Sequence, residues 1–301
     1  MFAPSELETL RADCAEGKWL PLARAITKVE ETPPWSFTLP AVERPTHVVG
    51  ITGPPGAGKS TLTSALITTF ADAGQRVCVL AIDPSSPLTG GAVLGDRLRM
   101  EKSLLGRTNV YVRSLASRGA HGAIAPATRN VARLCELSEA FDVIIIETVG
   151  AGQSEVAIAE LADSVLLVTV PGLGDAVQAI KAGFLEIADF VVVNKSDRPD
   201  APETVRHLKM NLGGSAEILQ TIATDLTGIP ELKAALDARW TAVTDGAELA
   251  ELRAGKFVEE ASMLAEAWTK ACAVDVPVEA AEGFEKAVKR ILEEAAARWK
   301  I

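Results

Sequence analysis

The chain has 301 residues, which at about 100–200 residues per domain allows one or two domains and a sizeable buried core. Hydrophobic residues make up 48% and charged residues 23%, ordinary globular usage that excludes disorder and collagen-like structure. Lys and Arg number 30 against 40 Asp and Glu, a net charge of −10. That acidity argues against a general binder of nucleic-acid backbones, while local basic loops around one small phosphate ligand stay open. No apolar run approaches the roughly 18 residues of a membrane span; the run Val143–Ile146 is ended by Glu147. Met1–Glu6 carries no basic segment followed by an apolar core, so the expected compartment is the cytoplasm. Cys14, Cys78, Cys135 and Cys272 lie far apart with no CxxC pair and read as buried thiols.

Residues 5–31 read as helical, with Leu20, Leu22, Ala23, Ile26 and Val29 at near-helical spacing and Pro33-Pro34 as the stop. A polar stretch to Pro45 reads as a linker. From His47 to about Leu236, β-branched runs at 47–51, 77–82, 110–115, 143–147, 164–170, 190–193 and 217–222 alternate with helical stretches. Apolar strands alternating with helices imply a mostly parallel α/β sheet covered on both faces. After Asp237 the pattern changes to two apolar stripes. One holds Leu249, Leu252, Phe257, Ala261, Leu264 and Trp268; the other holds Phe284, Val288, Ile291, Leu292, Ala295 and Trp299. The expected organisation is an N-terminal helical extension over 1–45, a P-loop domain over 46–236 and a helical appendix over 237–301. The appendix either packs on the sheet or forms a dimer or partner surface.

Directly after the first strand stands Gly53-Pro54-Pro55-Gly56-Ala57-Gly58-Lys59-Ser60, the pattern GxxxxGK[ST], with Thr61–Ala71 reading as the helix that follows. Glycines let the backbone curl so that successive N–H groups point at phosphate oxygens beside a helix N-terminus. Lys59 would reach the β- and γ-phosphates and the Ser60 hydroxyl would take Mg²⁺. At the end of the sixth strand, Asn194-Lys195-Ser196-Asp197 forms an NKxD. A carboxylate there accepts from both N1–H and the 2-amino group of guanine, which adenine cannot match, so GTP is expected over ATP. Ile222-Ala223-Thr224 would bring a backbone N–H, that of Ala223, to guanine O6. Glu147 and Gly150, in Glu147-Thr148-Val149-Gly150, occupy the places of a metal-holding acid and a γ-phosphate sensor. Asp83 and Asp96 are further candidates for the metal shell, against the alternative of helix caps. Gln153 is not adjacent to Gly150, so the water-orienting glutamine of Ras-like enzymes is missing and unassisted hydrolysis should be slow. Arg97, Arg99 and Arg113 are candidate transition-state cations, against the commoner role of solvated arginines.

Beyond these motifs, Ala81-Ile82-Asp83-Pro84-Ser85-Ser86-Pro87, Thr89-Gly90-Gly91, Leu94-Gly95-Asp96-Arg97, Arg99-Met100, Glu147 to Glu155 and Pro171 to Lys181 resemble the signature strings of the MeaB family, also called ArgK or methylmalonic aciduria type A proteins. Leu22-Ala23-Arg24-Ala25-Ile26-Thr27 resembles it too, and the likeness runs from about residue 18 to residue 233. The resemblance implies a homodimeric, Mg²⁺-dependent GTPase that acts as chaperone to an adenosylcobalamin-dependent acyl-CoA mutase, gating cofactor loading and protecting or rescuing the mutase. It implies that Lys59 and Ser60 bind phosphate and Mg²⁺, that Asp83, Asp96 and Glu147 surround metal and attacking water, and that Asn194, Lys195 and Asp197 read guanine. The loop 171–181, with Gly174, Asp175, Gln178 and Lys181, corresponds to a switch that reports nucleotide state to the mutase. After Trp240 the chain departs from the family: its usual His, and its paired Arg followed by Gln and Trp, are not found. The client would be methylmalonyl-CoA mutase or a relative such as the 2-hydroxyisobutyryl-CoA or isobutyryl-CoA enzyme, with no nucleic-acid or membrane partner.

Four other readings compete, one of them a non-catalytic scaffold that binds nucleotide structurally. A cobalamin carrier would commonly show DxHxxG, and none of His47, His121 or His207 has an Asp two residues before it. A nickel-inserting GTPase would want Cys/His clusters at ligand spacing, which three scattered histidines do not supply. A small-molecule kinase would use the same phosphate loop, but with an acceptor pocket and no need of an NKxD.

Overall fold

The computed structural model describes residues 2–33, 39–40, 42–83, 106–116, 126–148, 158–172, 187–212, 216–245 and 248–256, with positions 265, 268–269 and 293 besides. Two helices come first, α1 (Pro4–Ala15) and α2 (Trp19–Glu31). Seven strands follow: β1 (His47–Thr52), β2 (Val77–Asp83), β3 (Val110–Ala116), β4 (Val143–Thr148), β5 (Ser164–Thr169), β6 (Phe190–Asn194) and β7 (Glu217–Thr221). The helices between and after them are α3 (Lys59–Asp72), α4 (Pro126–Leu137), α5 (Ala201–Leu212), α6 (Ile229–Asp245) and α7, residues 248–256. No helix among the described residues is long and apolar enough to cross a membrane.

The strands form one sheet in the order β3-β2-β4-β1-β5-β6-β7, and every pair is parallel. Runs such as Val143–Ile146 are apolar at successive positions because both faces are covered. On one face α1, α2 and α4 bring Leu22, Ile26, Val29 and Leu134 against Ile144 and Ile146. On the other, α3 and α6 set Leu62, Leu66, Phe70, Leu232 and Leu236 against Ile145 and Val168. A smaller cluster under α5 joins Leu208 and Leu212 to Val191 and Val193.

The seven strands fall where the sequence pattern puts them, within a residue at each end. The helical region 5–31 is divided, however: Gly17 stands at φ +75° and turns the chain between α1 and α2. α2 is tied to edge strand β3 by Arg113, which donates to Glu30 (2.5 Å) and Thr27 (3.0 Å). Trp19 stacks on Phe141 with centroids 5.4 Å apart. Helix α6 runs continuously across the expected division at 236/237. Cys14, Cys78 and Cys135 are buried free thiols, as expected, and Cys272 lies outside the described residues.

The amino ends of the strands are closed by one device used three times. Asp142, just before β4, donates its N–H to Arg76 O (2.8 Å) and accepts the Arg76 N–H on its carboxylate (2.7 Å). Asp163, before β5, makes the same two-point contact with Val48 of β1, and Asp189, before β6, with Val165 of β5. Each carboxylate satisfies a strand-end donor that the sheet cannot pair. Cations from the C-terminal part then cover two of these acids. Arg239 meets Asp189 at 2.7 Å, and Arg253 grips Asp163 through two bonds while also reaching Glu136 and Thr46 O. Burial pulls against the Arg253 charge, but Asp163 and Glu136 outweigh it and hold its pKa above the usual value.

Beside this network His47 is buried, stacked on Trp240 (4.7 Å, 7°) and within 2.9 Å of Ser164 Oγ. Burial, opposed by Asp163, lowers its pKa from 6.5 to about 4. The unfolded chain therefore takes up the proton first, and stability is lost as pH falls from 6.5 through about 4, by roughly 3 kcal/mol at the limit. Denaturant unfolding across that window should show this slope in the wild type and a shallower one in His47→Phe. Equal slopes would mean that His47 is not held neutral.

Candidate functional site

The carboxyl ends of β1, β4, β5 and β6 converge at one edge of the sheet, where parallel α/β sheets bind ligands. β1 ends at Thr52, and the chain turns through Gly53–Gly58 straight into α3 at Lys59. Two glycines here are enforced by close approach. A Cβ on Gly53 (φ +139°) would lie 2.1 Å from Val168 O, and one on Gly58 (φ +89°) would lie 2.5 Å from Asn194 Nδ2. Pro55, Gly56 and Thr61 are exposed, Pro54 and Ser60 half-buried, and Ala57 buried. The buried Lys59 lies across the loop, its Nζ donating to Gly53 O (2.7 Å) and Pro54 O (3.1 Å). Its ammonium is thus already at the loop's mouth before any phosphate replaces those carbonyls.

Ser60 Oγ donates to Glu147 Oε1 at 2.7 Å, joining the start of α3 to the end of β4. The Glu147 carboxylate is buried, and Thr148 next to it reaches Ile51 O (3.4 Å) and Thr52 Oγ1 (3.3 Å). A hydroxyl and a carboxylate side by side are hard oxygen donors, the chemistry that suits Mg²⁺ shared with phosphate oxygens. Asp83 ends β2, whose register sets Ala81 beside Glu147, so its backbone stands at the same edge of the sheet. Asp96, Gly150, Gly174, Asp175, Gln178 and Lys181 lie outside the described residues, as do Gln153, Arg97 and Arg99. Arg113 is paired with Glu30 on α2, which takes it out of the candidate transition-state cations.

The base-reading segment is joined directly to the phosphate loop. Asn194 is buried and joins two loops: Nδ2 donates to Ala57 O (3.0 Å), while Oδ1 accepts from Ala223 N–H and Thr221 Oγ1, both at 3.2 Å. Lys195, at φ +57°, sends its Nζ to Gly56 O (2.9 Å). Asn194 and Lys195 therefore brace the phosphate loop, and Asp197 alone of the motif presents an exposed side chain. The Ala223 N–H, expected at guanine O6, donates here to Asn194 Oδ1. The reason is local: Ile222 and Thr227 pair across their loop, and Gly228, whose Cβ would lie 2.1 Å from Gln220 O, presses that loop back on β7.

Sequence reasoning missed Thr221 and Arg198. Thr221 closes β7 and supports Asn194. Arg198 donates to Pro171 O (3.4 Å), linking the base-reading segment to the root of the 171–181 loop. Neither carries a motif of its own; only the register of β6 with β7, Asn194 opposite Thr221, brings the first into reach.

A profile described as methylmalonyl Co-A mutase-associated GTPase MeaB matches residues 22–274. A Pyrococcus horikoshii protein assigned as a GTPase is 45% identical over 224 residues, 71% of this chain and 70% of that one. The mouse mitochondrial methylmalonic aciduria type A homolog is 45% identical over 152 residues, 50% of this chain and 36% of its own length. The crystal structure of a LAO/AO transport system kinase superposes with a TM-score of 0.67 at 25% identity, covering 97% of this chain and 98% of that one. A phosphate loop, an acid-braced serine and an NKxD set at one sheet edge are thus joined by a match over most of the chain, and this protein belongs to the MeaB family of P-loop GTPases.

Proposed function

We propose that this GTPase gates adenosylcobalamin loading of an acyl-CoA mutase, methylmalonyl-CoA mutase or a close relative, and protects or reactivates that enzyme. It acts as a Mg²⁺-dependent homodimer in the cytoplasm, with 237–301 as the dimer or partner segment. The family description and the mouse relative's name support the mutase link. The observation that carries the guanine reading is the Asn194 bridge, which leaves the Asp197 carboxylate as the exposed group of its motif.

In this reading Lys59 leaves the Gly53 and Pro54 carbonyls for the β- and γ-phosphates, and the N–H groups of the 53–60 loop take the remaining oxygens. Ser60 and Glu147 would hold Mg²⁺, with Asp83 and Asp96 as further acids toward it; bound there, it would supply neutralisation of charge on the phosphates. Asp197 accepts from two guanine N–H groups. Hydrolysis by the chain alone is slow because no glutamine stands at the water-orienting place, and the mutase supplies the acceleration through the 171–181 loop.

Asp197→Asn replaces an acceptor by a donor, so GTP affinity should fall roughly 10- to 100-fold while xanthosine triphosphate binding improves. An unchanged ratio of the two nucleotides would remove the base assignment. Single-turnover GTP hydrolysis should be accelerated by the cognate mutase from a panel of purified acyl-CoA mutases. Lys181→Ala should keep GTP affinity yet lose most of that acceleration, with about 10³-fold as an upper bound by analogy with arginine fingers. Full acceleration in the variant would make Lys181 a surface lysine, and no acceleration by any mutase would refute the chaperone reading.

A further inference from the structure

At the pole opposite the phosphate loop lies a cavity of about 270 Å³ between α4, the turn before β5, and α7. Four cations line it, Arg129, Arg133, Arg253 and Lys256, against three carboxylates, Glu136, Glu160 and Asp163. The local excess is one positive charge in a chain whose net charge is −10. The pairing is uneven. Arg129 is bonded to Glu160, and Arg253 to both Asp163 and Glu136. Among the described residues, Arg133 and Lys256 donate to neutral carbonyls, Pro40 O and Ala162 O. Burial holds the Lys256 ammonium below its usual pKa in spite of the attraction of Asp163 and Asp189. The rest of the wall is apolar, from Val42, Val48, Ala132 and Leu161.

A partly buried charged group whose hydrogen bonds go to neutral carbonyls is stabilised when an opposite charge arrives beside it. One excess positive charge calls for one negative charge, and the apolar wall calls for carbon rather than more oxygen. The volume is below the roughly 300–1,000 Å³ of pockets for drug-sized ligands, so the guest is small. We propose that this cavity binds a small organic monocarboxylate, with its carboxylate held by Arg133 and Lys256 and a short aliphatic body on Val42, Val48, Ala132 and Leu161. Such a guest bridges α4 to α7 and so tightens the seat of the C-terminal segment on the sheet. It does so without touching the nucleotide site.

Butyrate is the probe, titrated by calorimetry into the full-length protein, with butylamine and inorganic phosphate as comparisons. One saturable butyrate site of millimolar affinity is expected, the same with and without Mg²⁺·GDP, and butylamine should give none. Arg133→Gln and Lys256→Gln, each confirmed as folded by circular dichroism, should weaken it at least ten-fold. In the wild type, intermolecular NOEs should run from the butyrate methyl to valine methyls of Val42 or Val48, a readout that needs no variant. Failure to saturate, undiminished binding in both variants, or phosphate binding as tightly as butyrate would each overturn the assignment.

Discussion

The side chain of Asn194 is the joint on which the nucleotide end of the molecule depends. One buried amide spends both its halves: nitrogen on the phosphate loop at Ala57, oxygen on Thr221 at the end of β7 and on Ala223 in the loop after it. Removing it would leave buried backbone groups without partners, at about 1–3 kcal/mol each. It also dictates sequence at a distance, since its nitrogen occupies the space that any Cβ at Gly58 would need. The 53–60 loop and the 194–197 segment are therefore set relative to one another before a nucleotide arrives, the condition under which binding energy is not consumed in ordering loops.

The opposite end of the sheet is fixed by charge. Asp142, Asp163 and Asp189 each close a neighbouring strand by pairing with its backbone, and Arg239 and Arg253 lock two of them from the C-terminal side. β1 runs between the two poles, from Val48 in the Asp163 contact to Gly53 at the phosphate loop. A strand anchored at its amino end and buried on both faces gives the loop at its carboxyl end a rigid base, as precise positioning of phosphate donors requires.

Much of this could be read from the chain. The seven strands were legible because a doubly covered parallel sheet needs unbroken β-branched runs, as at Val143–Ile146 and Val191–Val193. The phosphate loop was legible because its glycines are demanded by backbone approach. The break at Gly17 was hidden by the apolar positions Leu7, Leu10, Cys14, Leu22 and Ile26, which continue through it into one core cluster. The contact of Asn194 with the phosphate loop was not legible because NKxD names a motif and not the partners of each side chain; its acceptor there lies 137 residues away in sequence. Arg253 was silent for the same reason, its partners Glu136 and Asp163 being 117 and 90 residues away. Local pattern reports periodicity and backbone need, but pairings between distant charges follow only from the register of the folded sheet.

The claim underlying the whole account is that the exposed carboxylate of Asp197, held out by the Asn194 joint, makes this a guanine site. Calorimetric titration of the purified chain with Mg²⁺·GTP and with Mg²⁺·ATP tests it directly. GTP should bind at least about 100-fold more tightly, since adenine leaves the carboxylate without its two donors. Equal affinities for the two nucleotides would contradict the account.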